Sequence, residues 1–280
     1  ERDFAWVGDV APALVDLAQS IRDGRPIAGA GAAAEPAGRL HTAGGLDRLD
    51  TPSPTGAAPP NRAGVFVGRA WERSAIGQLL RTTRIVTLVG PGGVGKTRLA
   101  VELLHELEGT YPDGAFFVDL GAVGHEQHIL GQVAKSLGVK ESPGQSLADG
   151  VRTRLTAAQA LLVFDNCEHV VQAAAQAASL VTSASPGARV LATSRTRLAV
   201  QGERVWKLAA LTLPPVPEAT ADHEPDALLA AETVQLFCAR LPHLATDDLS
   251  PADRIAIATI CHHVAGLPLG IAIAAAFQPV

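Results

Sequence analysis

The residues best suited to chemistry lie in one short run. From Gly90 to Thr97 the chain reads Gly-Pro-Gly-Gly-Val-Gly-Lys-Thr, which matches G-x-x-x-x-G-K-[ST]. Each fixed position has a physical task. The glycines Gly90, Gly92, Gly93 and Gly95 let the backbone turn tightly and aim successive N–H groups at phosphate oxygens, while a helix that follows adds its unpaired N-terminal donors. Pro91 and Val94 fill the variable positions. Lys96 can reach the terminal phosphates of a nucleotide, the Thr97 hydroxyl suits the shell of a magnesium ion, and Arg98 adds a cation one residue on. Lysine is scarce, four residues in the whole chain, so its place in this motif carries weight.

A second chemical residue ends an apolar run, Ala160-Leu161-Leu162-Val163-Phe164-Asp165. Such a run reads as a central parallel strand covered on both faces. Ligands in doubly wound sheets bind beyond the carboxyl ends of the strands, which puts Asp165 beside the phosphate loop as a partner for Thr97 at a metal. Asn166 and Glu168 follow at once. Glu168 is a candidate to polarise water, or a helix N-terminal acid that favours the dipole. Arg195 closes another strand, Ala188 to Arg195, and is a candidate to sense or neutralise a γ-phosphate. Lys96, Asp165, Glu168 and Arg195 are thus the catalytic candidates.

These residues need a frame that brings strand ends together. Ile85 to Val89 is a β-branched run of strand length, and Leu99, Leu103, Leu104 and Leu107 follow at helical spacing. A helix through Trp71, Ile76 and Leu80 precedes it. Further strands are expected at 115–120, 160–165, 188–195 and 204–208, with helices near 129–137, 147–155 and 168–182. The alternation predicts an α/β fold, a three-layer P-loop NTPase with a central parallel sheet. The start of a small all-helical domain follows, with helices at 230–240, 251–264 and 268–277.

The expected domains are a short helix of unassigned role in 1–24, a flexible Ala/Gly/Pro-rich linker in 25–63, the nucleotide-binding domain in 64–212, a linker in 213–229 and the helical domain in 230–280. The linker reading rests on composition, since 25–63 has few large apolar residues to offset its ordering entropy. Across 280 residues the hydrophobic content is 47%, enough for a sizeable core. A net charge of −5 and the lack of a basic arm argue against a nucleic-acid surface here, so any DNA contact is expected from domains outside this segment. Cys167, Cys238 and Cys261, odd in number and far apart, fit reduced thiols in the cytoplasm. No membrane span or signal peptide is evident. The chain starts at Glu1 and has no methionine, which suggests a piece of a longer protein whose helical domain continues. His169, His125 with His128, and His262 with His263 lack a second ligand pair at zinc-like spacing and are expected to be ordinary surface or core histidines.

Five motifs in order, Phe66-Val67-Gly68-Arg69, Gly90 to Thr97, Leu161 to His169, Leu191-Ala192-Thr193-Ser194-Arg195 and Gly266-Leu267-Pro268-Leu269, resemble the NB-ARC-type signal-transduction ATPases with numerous domains (STAND). The combination is similar to the nucleotide-binding part of bacterial transcriptional regulators of the antibiotic-regulatory (SARP) and large LuxR kinds. The likeness covers about 64–277. It implies that Val67, Gly68 and Arg69 lie near adenine and ribose, that Arg195 is the first sensor, and that Pro268 touches the base from the helical domain. It further implies an ATP or ADP ligand with Mg2+ bridging two domains, ADP holding them closed and ATP exchange permitting opening and self-association. The sequence departs from the pattern at Ala70, where Glu is usual, and at Asn166, where a second Asp is common, so slow hydrolysis is expected. A small-molecule phosphotransferase is the alternative, although no motif supplies an acceptor base. A ring-forming motor is disfavoured by the lack of a recognisable second-sensor arginine.

Overall fold

The computed structural model describes residues 64–121, 123–140, 144–215, 228–241 and 249–276. The expected helix in 1–24 and linker in 25–63 lie outside these residues, as does most of the second linker. Five strands, β1 (Ile85–Val89), β2 (Ala115–Asp119), β3 (Leu161–Asp165), β4 (Arg189–Ser194) and β5 (Glu203–Lys207), form one sheet in the order β2-β3-β4-β1-β5. Every pairing is parallel. In register, Val86 of β1 stands opposite Leu191 of β4 on one side and Arg204 of β5 on the other.

Alternation along the strands divides the apolar residues between two layers of helices, as a parallel sheet covered on both faces requires. Leu161 and Val163 of β3 pack with Val86 and Leu88 against α1 (Ala70–Thr82) and α2 (Lys96–Leu107), through Ile76, Leu80, Leu99 and Leu103. Leu162 and Phe164 face the other way. They pack against α3 (Ile129–Ser136), α4 (Leu147–Leu155) and α5 (Val171–Ala184), through Val133, Leu155, Ala178 and Val181. The fold is the expected three-layer α/β architecture with a parallel sheet.

A third core belongs to α6 (Glu232–Ala239), α7 (Pro251–His263) and α8 (Pro268–Ala276), where Val234, Phe237, Ile257, Cys261 and Ile271 meet. A capping box fixes the start of α7: the Ser250 hydroxyl accepts from the Asp253 N–H, and the Asp253 carboxylate accepts from the Ser250 N–H. The helix ends at two successive left-handed residues, Ala265 (φ 49°) and Gly266 (φ 67°). Gly266 is required by contact as well as by φ, since a Cβ there would stand 2.7 Å from the Leu211 carbonyl oxygen.

One expected element differs in shape. The helix expected over 168–182 is instead a 3-10 turn at Cys167–His169 followed by α5 from Val171. Asn166 takes a left-handed conformation (φ 60°) and Val170 is off the helical region (φ −136°), so the chain bends twice before the helix begins. The bend turns Glu168 away from the role of a helix N-terminal acid and into the cleft beside the phosphate loop.

Candidate functional site

Because β4 lies between β1 and β3, its carboxyl end separates the phosphate loop from Asp165. All three chain segments therefore meet at the carboxyl end of the sheet. The Thr97 hydroxyl donates to Asp165 Oδ1 at 2.7 Å, and the Thr193 hydroxyl donates to the same oxygen at 2.5 Å. Thr193 also accepts from the Asn166 N–H at 3.0 Å, and the Asn166 side-chain amide donates to Asp165 Oδ2 at 3.1 Å. Asp165 is 3% exposed. Burial pushes its carboxyl above the usual range, while the hydrogen bonds from Thr193 and Thr97 pull it back.

The loop is built to approach its ligand closely. A Cβ on Gly90 would stand 2.9 Å from the Leu208 carbonyl oxygen, so glycine lets the loop leave β1 against the segment after β5. Val94 is fully buried and anchors the loop in the core beneath it. Gly93 and Gly95 have positive φ, and Gly95 opens α2 with no side-chain cap. The first N–H groups of α2 are thus left to an anion. Lys96 donates from Nζ to the carbonyls of Gly90 and Pro91, at 2.9 and 3.1 Å. Burial lowers its pKa, Glu168 and Asp165 raise it, and Arg195 lowers it further. All four catalytic candidates therefore share one electrostatic neighbourhood.

Arg195 reaches over the loop, with Nη2 3.4 Å from where a Cβ on Gly92 would be. Its Nε lies 3.6 Å from Glu168 Oε1, and Glu168 Oε2 is buried without a hydrogen-bond partner among the described residues. The site has hard oxygen donors in Thr97 and Asp165, which fit a magnesium ion. When bound, such an ion neutralises phosphate charge.

Above the loop lies a cavity of about 630 Å³. Its floor includes Gly92, Gly93, Gly95, Lys96 and Thr97; Val67 and Phe66 form one wall, and Leu236, Pro268 and Leu269 of the helical unit form another. Five cationic side chains, Arg69, Lys96, Arg98, Arg195 and Arg240, line it against a single acidic one, Glu168. That balance suits a polyanion with an apolar end. A cavity of similar size, about 620 Å³, opens at the opposite end of the sheet among Thr82, Arg84, Thr182 and Arg204, away from every chemical residue named above.

The structure brings Val67, Arg98, Pro268 and Arg69 to the cavity lining, with most of Arg69 itself buried. Its guanidinium is buried and bonds to the carbonyls of Val94 and Ala209. Sequence reasoning missed Thr193, Leu236 and Arg240. Thr193 had a signal, since it precedes Arg195 on a strand that ends in polar residues. Leu236 and Arg240 had none, because their place depends on how the helical unit docks. Of the histidines, His169 Nε2 and His262 Nε2 lie within hydrogen-bond distance of the carbonyls of Leu120 and Pro214, and His263 Nδ1 of that of Thr259. No group of three metal-ligating His, Cys, Asp or Glu side chains occurs among the described residues.

Residues 79–196 match the family model described as an AAA domain. The chain carries an AAA-type P-loop domain. Around this P-loop domain the likeness extends to regulators. A Mycobacterium tuberculosis protein bearing the name of an HTH-type transcriptional regulator is 33% identical over 199 residues, 71% of this chain and 20% of the relative. An uncharacterised protein of the same species is 30% identical over 212 residues, 75% of this chain and 50% of the relative. The regulatory protein AfsR of Streptomyces griseus is 32% identical over 146 residues, 48% of this chain and 14% of the relative. The chain thus spans between about a seventh and a half of these relatives. Among solved structures, a STAND protein with a tetratricopeptide repeat sensor from Pyrococcus horikoshii aligns with a TM-score of 0.49 at 16% identity, covering 78% of this chain and 31% of that one. The motif resemblance and the matches agree on a P-loop domain shared with regulator-like proteins. No helix among the described residues is long and apolar enough to cross a membrane.

Proposed function

We propose that this chain is the nucleotide-operated switch of a multidomain bacterial transcriptional regulator in the cytoplasm, binding ATP or ADP with Mg2+ and hydrolysing ATP slowly. One observation carries the reading: the phosphate loop and the helical unit form two walls of the same cation-rich cavity, so a single nucleotide touches both. A ligand shifts a conformational equilibrium only by its differential affinity for the two states, and contacts from both walls provide that difference. Lys96 and the loop amides hold phosphates, Thr97 and Asp165 hold the metal, and Arg195 faces the γ-phosphate. DNA contact belongs to other domains of the longer protein. Asn166 cannot take a proton from water, and the carboxylate available for that task is Glu168, held near Arg195. A phosphotransferase would need an acceptor pocket with its own base, and no motif in the sequence supplies one.

Isothermal titration of the wild type and Lys96→Ala with ADP and ATP tests the reading. Binding by the wild type that weakens at least a hundredfold in the variant is the expected result. Equal binding by both proteins, or binding by neither, removes it.

A further inference from the structure

Gly68 and Arg69 make a turn of two left-handed residues, φ +72° and 57°, immediately before α1. A non-glycine residue in that region is strained by about 1 kcal/mol or more, so something must hold Arg69 there. Its backbone N–H donates to Glu232 Oε1 at 2.7 Å, and Glu232 is the first residue of α6 in the helical unit. The second oxygen, Oε2, accepts from the Thr212 N–H at 3.1 Å and lies 3.3 Å from the Thr212 hydroxyl. A Cβ on residue 68 would stand 2.6 Å from Glu232 Cδ, so the absence of a side chain at Gly68 is what lets the carboxylate come this near.

The other end of Arg69 points into the P-loop domain. Its guanidinium, in a residue only 3% exposed, donates from Nη2 to the carbonyls of Val94, within the phosphate loop, and Ala209, after β5, each at 2.9 Å. A buried cation is costly unless its hydrogen bonds are kept, so moving the Val94 carbonyl bears directly on Arg69, which the Ala209 carbonyl and Glu72, 3.5 Å from Nη1, also hold. A continuous path runs from the loop carbonyl through the Arg69 side chain and main chain to the Glu232 carboxylate and α6. The hydrophobic cores of the two units do not share these residues.

We propose that Arg69 and Glu232 are a coupling pair, through which the conformation of the phosphate loop and the seating of the helical unit are energetically linked. This rests on the nucleotide reading above and assigns its regulation to two residues. Glu232 acts here as a positioning residue, through Arg69, and lies outside the phosphate-binding set.

Hydrogen exchange on the 280-residue chain, with and without ADP, tests the pair in the wild type, Glu232→Ala, Glu232→Gln and Ile257→Ala. In Glu232→Ala without nucleotide, exchange at the loop amides of 92–97 is expected to rise several-fold, although Glu232 makes no bond to that loop. ADP is expected to slow exchange across α6 in the wild type and not in the variant, with ADP affinity weaker by about tenfold. Gln keeps an acceptor oxygen and should restore most of both effects. Ile257→Ala, in the helical core, should lower stability while leaving the loop as it is. Should Glu232→Ala fail to fold, Thr212→Val, which removes one partner of the carboxylate, is expected to move the same readouts in the same direction by less. Unchanged loop exchange in Glu232→Ala, or an equal rise in Ile257→Ala, overturns the coupling. Absence of ADP binding by the wild type with loop exchange still dependent on Glu232 overturns the nucleotide reading and leaves the mechanical link standing.

Discussion

Asp165 keeps its position through hydroxyls from two separate elements, Thr97 at the start of α2 and Thr193 on β4. Thr193→Val removes one of these donors and also orphans the Asn166 N–H, which Thr193 accepts. Denaturant unfolding should show a loss of about 1–3 kcal/mol, and the Mg2+-dependent part of ADP affinity should weaken in titrations. Asp165→Asn should act in the opposite sense on stability. Burial raises the folded-state pKa of Asp165 above the ordinary carboxylate value. The stability attached to its protonated form is therefore present at low pH and lost as pH climbs through the raised folded value. In metal-free buffer at pH 7, Asp165→Asn is expected to melt above the wild type, and the difference should vanish below about pH 4. A variant that melts lower at pH 7 contradicts this reading of the buried carboxylate.

Among the elements, the junction between α7 and α8 decides how the helical unit sits. The Gly266 carbonyl accepts from the Leu211 N–H at 3.1 Å, and the Leu269 N–H at the start of α8 donates to the Gly93 carbonyl of the loop at the same distance. Gly266→Ala would meet both a positive φ and the Leu211 oxygen. A loss of at least about 1–3 kcal/mol is expected, concentrated in α6 to α8 when hydrogen exchange is read element by element. The same scale shows where sequence periodicity fell short. Apolar spacing put a helix over 168–182, yet the left-handed Asn166 and the turn at Cys167–His169 come first, and those bends carry Glu168 into the cleft. Periodicity reports which face is buried and is blind to backbone bends that leave the face unchanged.

Across the molecule, three apolar clusters separate two sheet faces from one helical unit, and each free cysteine is buried in one of them: Cys167 against the sheet, Cys238 and Cys261 among the helices. Burial pushes all three thiols up, Cys261 to about 11. The native protein should therefore resist a thiol-specific reagent at pH 8, and all three should react once denaturant unfolds it. Raised thiol pKa values contribute stability below the ordinary thiol value that is lost as pH rises through the folded one. The midpoint of unfolding is accordingly expected to fall between about pH 9 and pH 11, a window readable by circular dichroism. Reaction of a cysteine in the folded state at pH 8 would count against the packing of its cluster.

The sequence by itself determined the loop, its strand and helix, the acidic end of β3 and the alternation that makes a three-layer sheet. Those features follow from local chemistry: glycines that free the backbone, β-branched runs, and apolar residues at periods of 2 and 3.6. What tertiary structure decided was adjacency. Insertion of β4 between β1 and β3 put Thr193 on Asp165, and docking of the helical unit put Leu236 and Arg240 on the cavity and Glu232 on Arg69. Residues that are 163 positions apart, as Arg69 and Glu232 are, leave no periodic trace in the chain, because their meeting depends on how separately formed cores pack and not on any spacing between them.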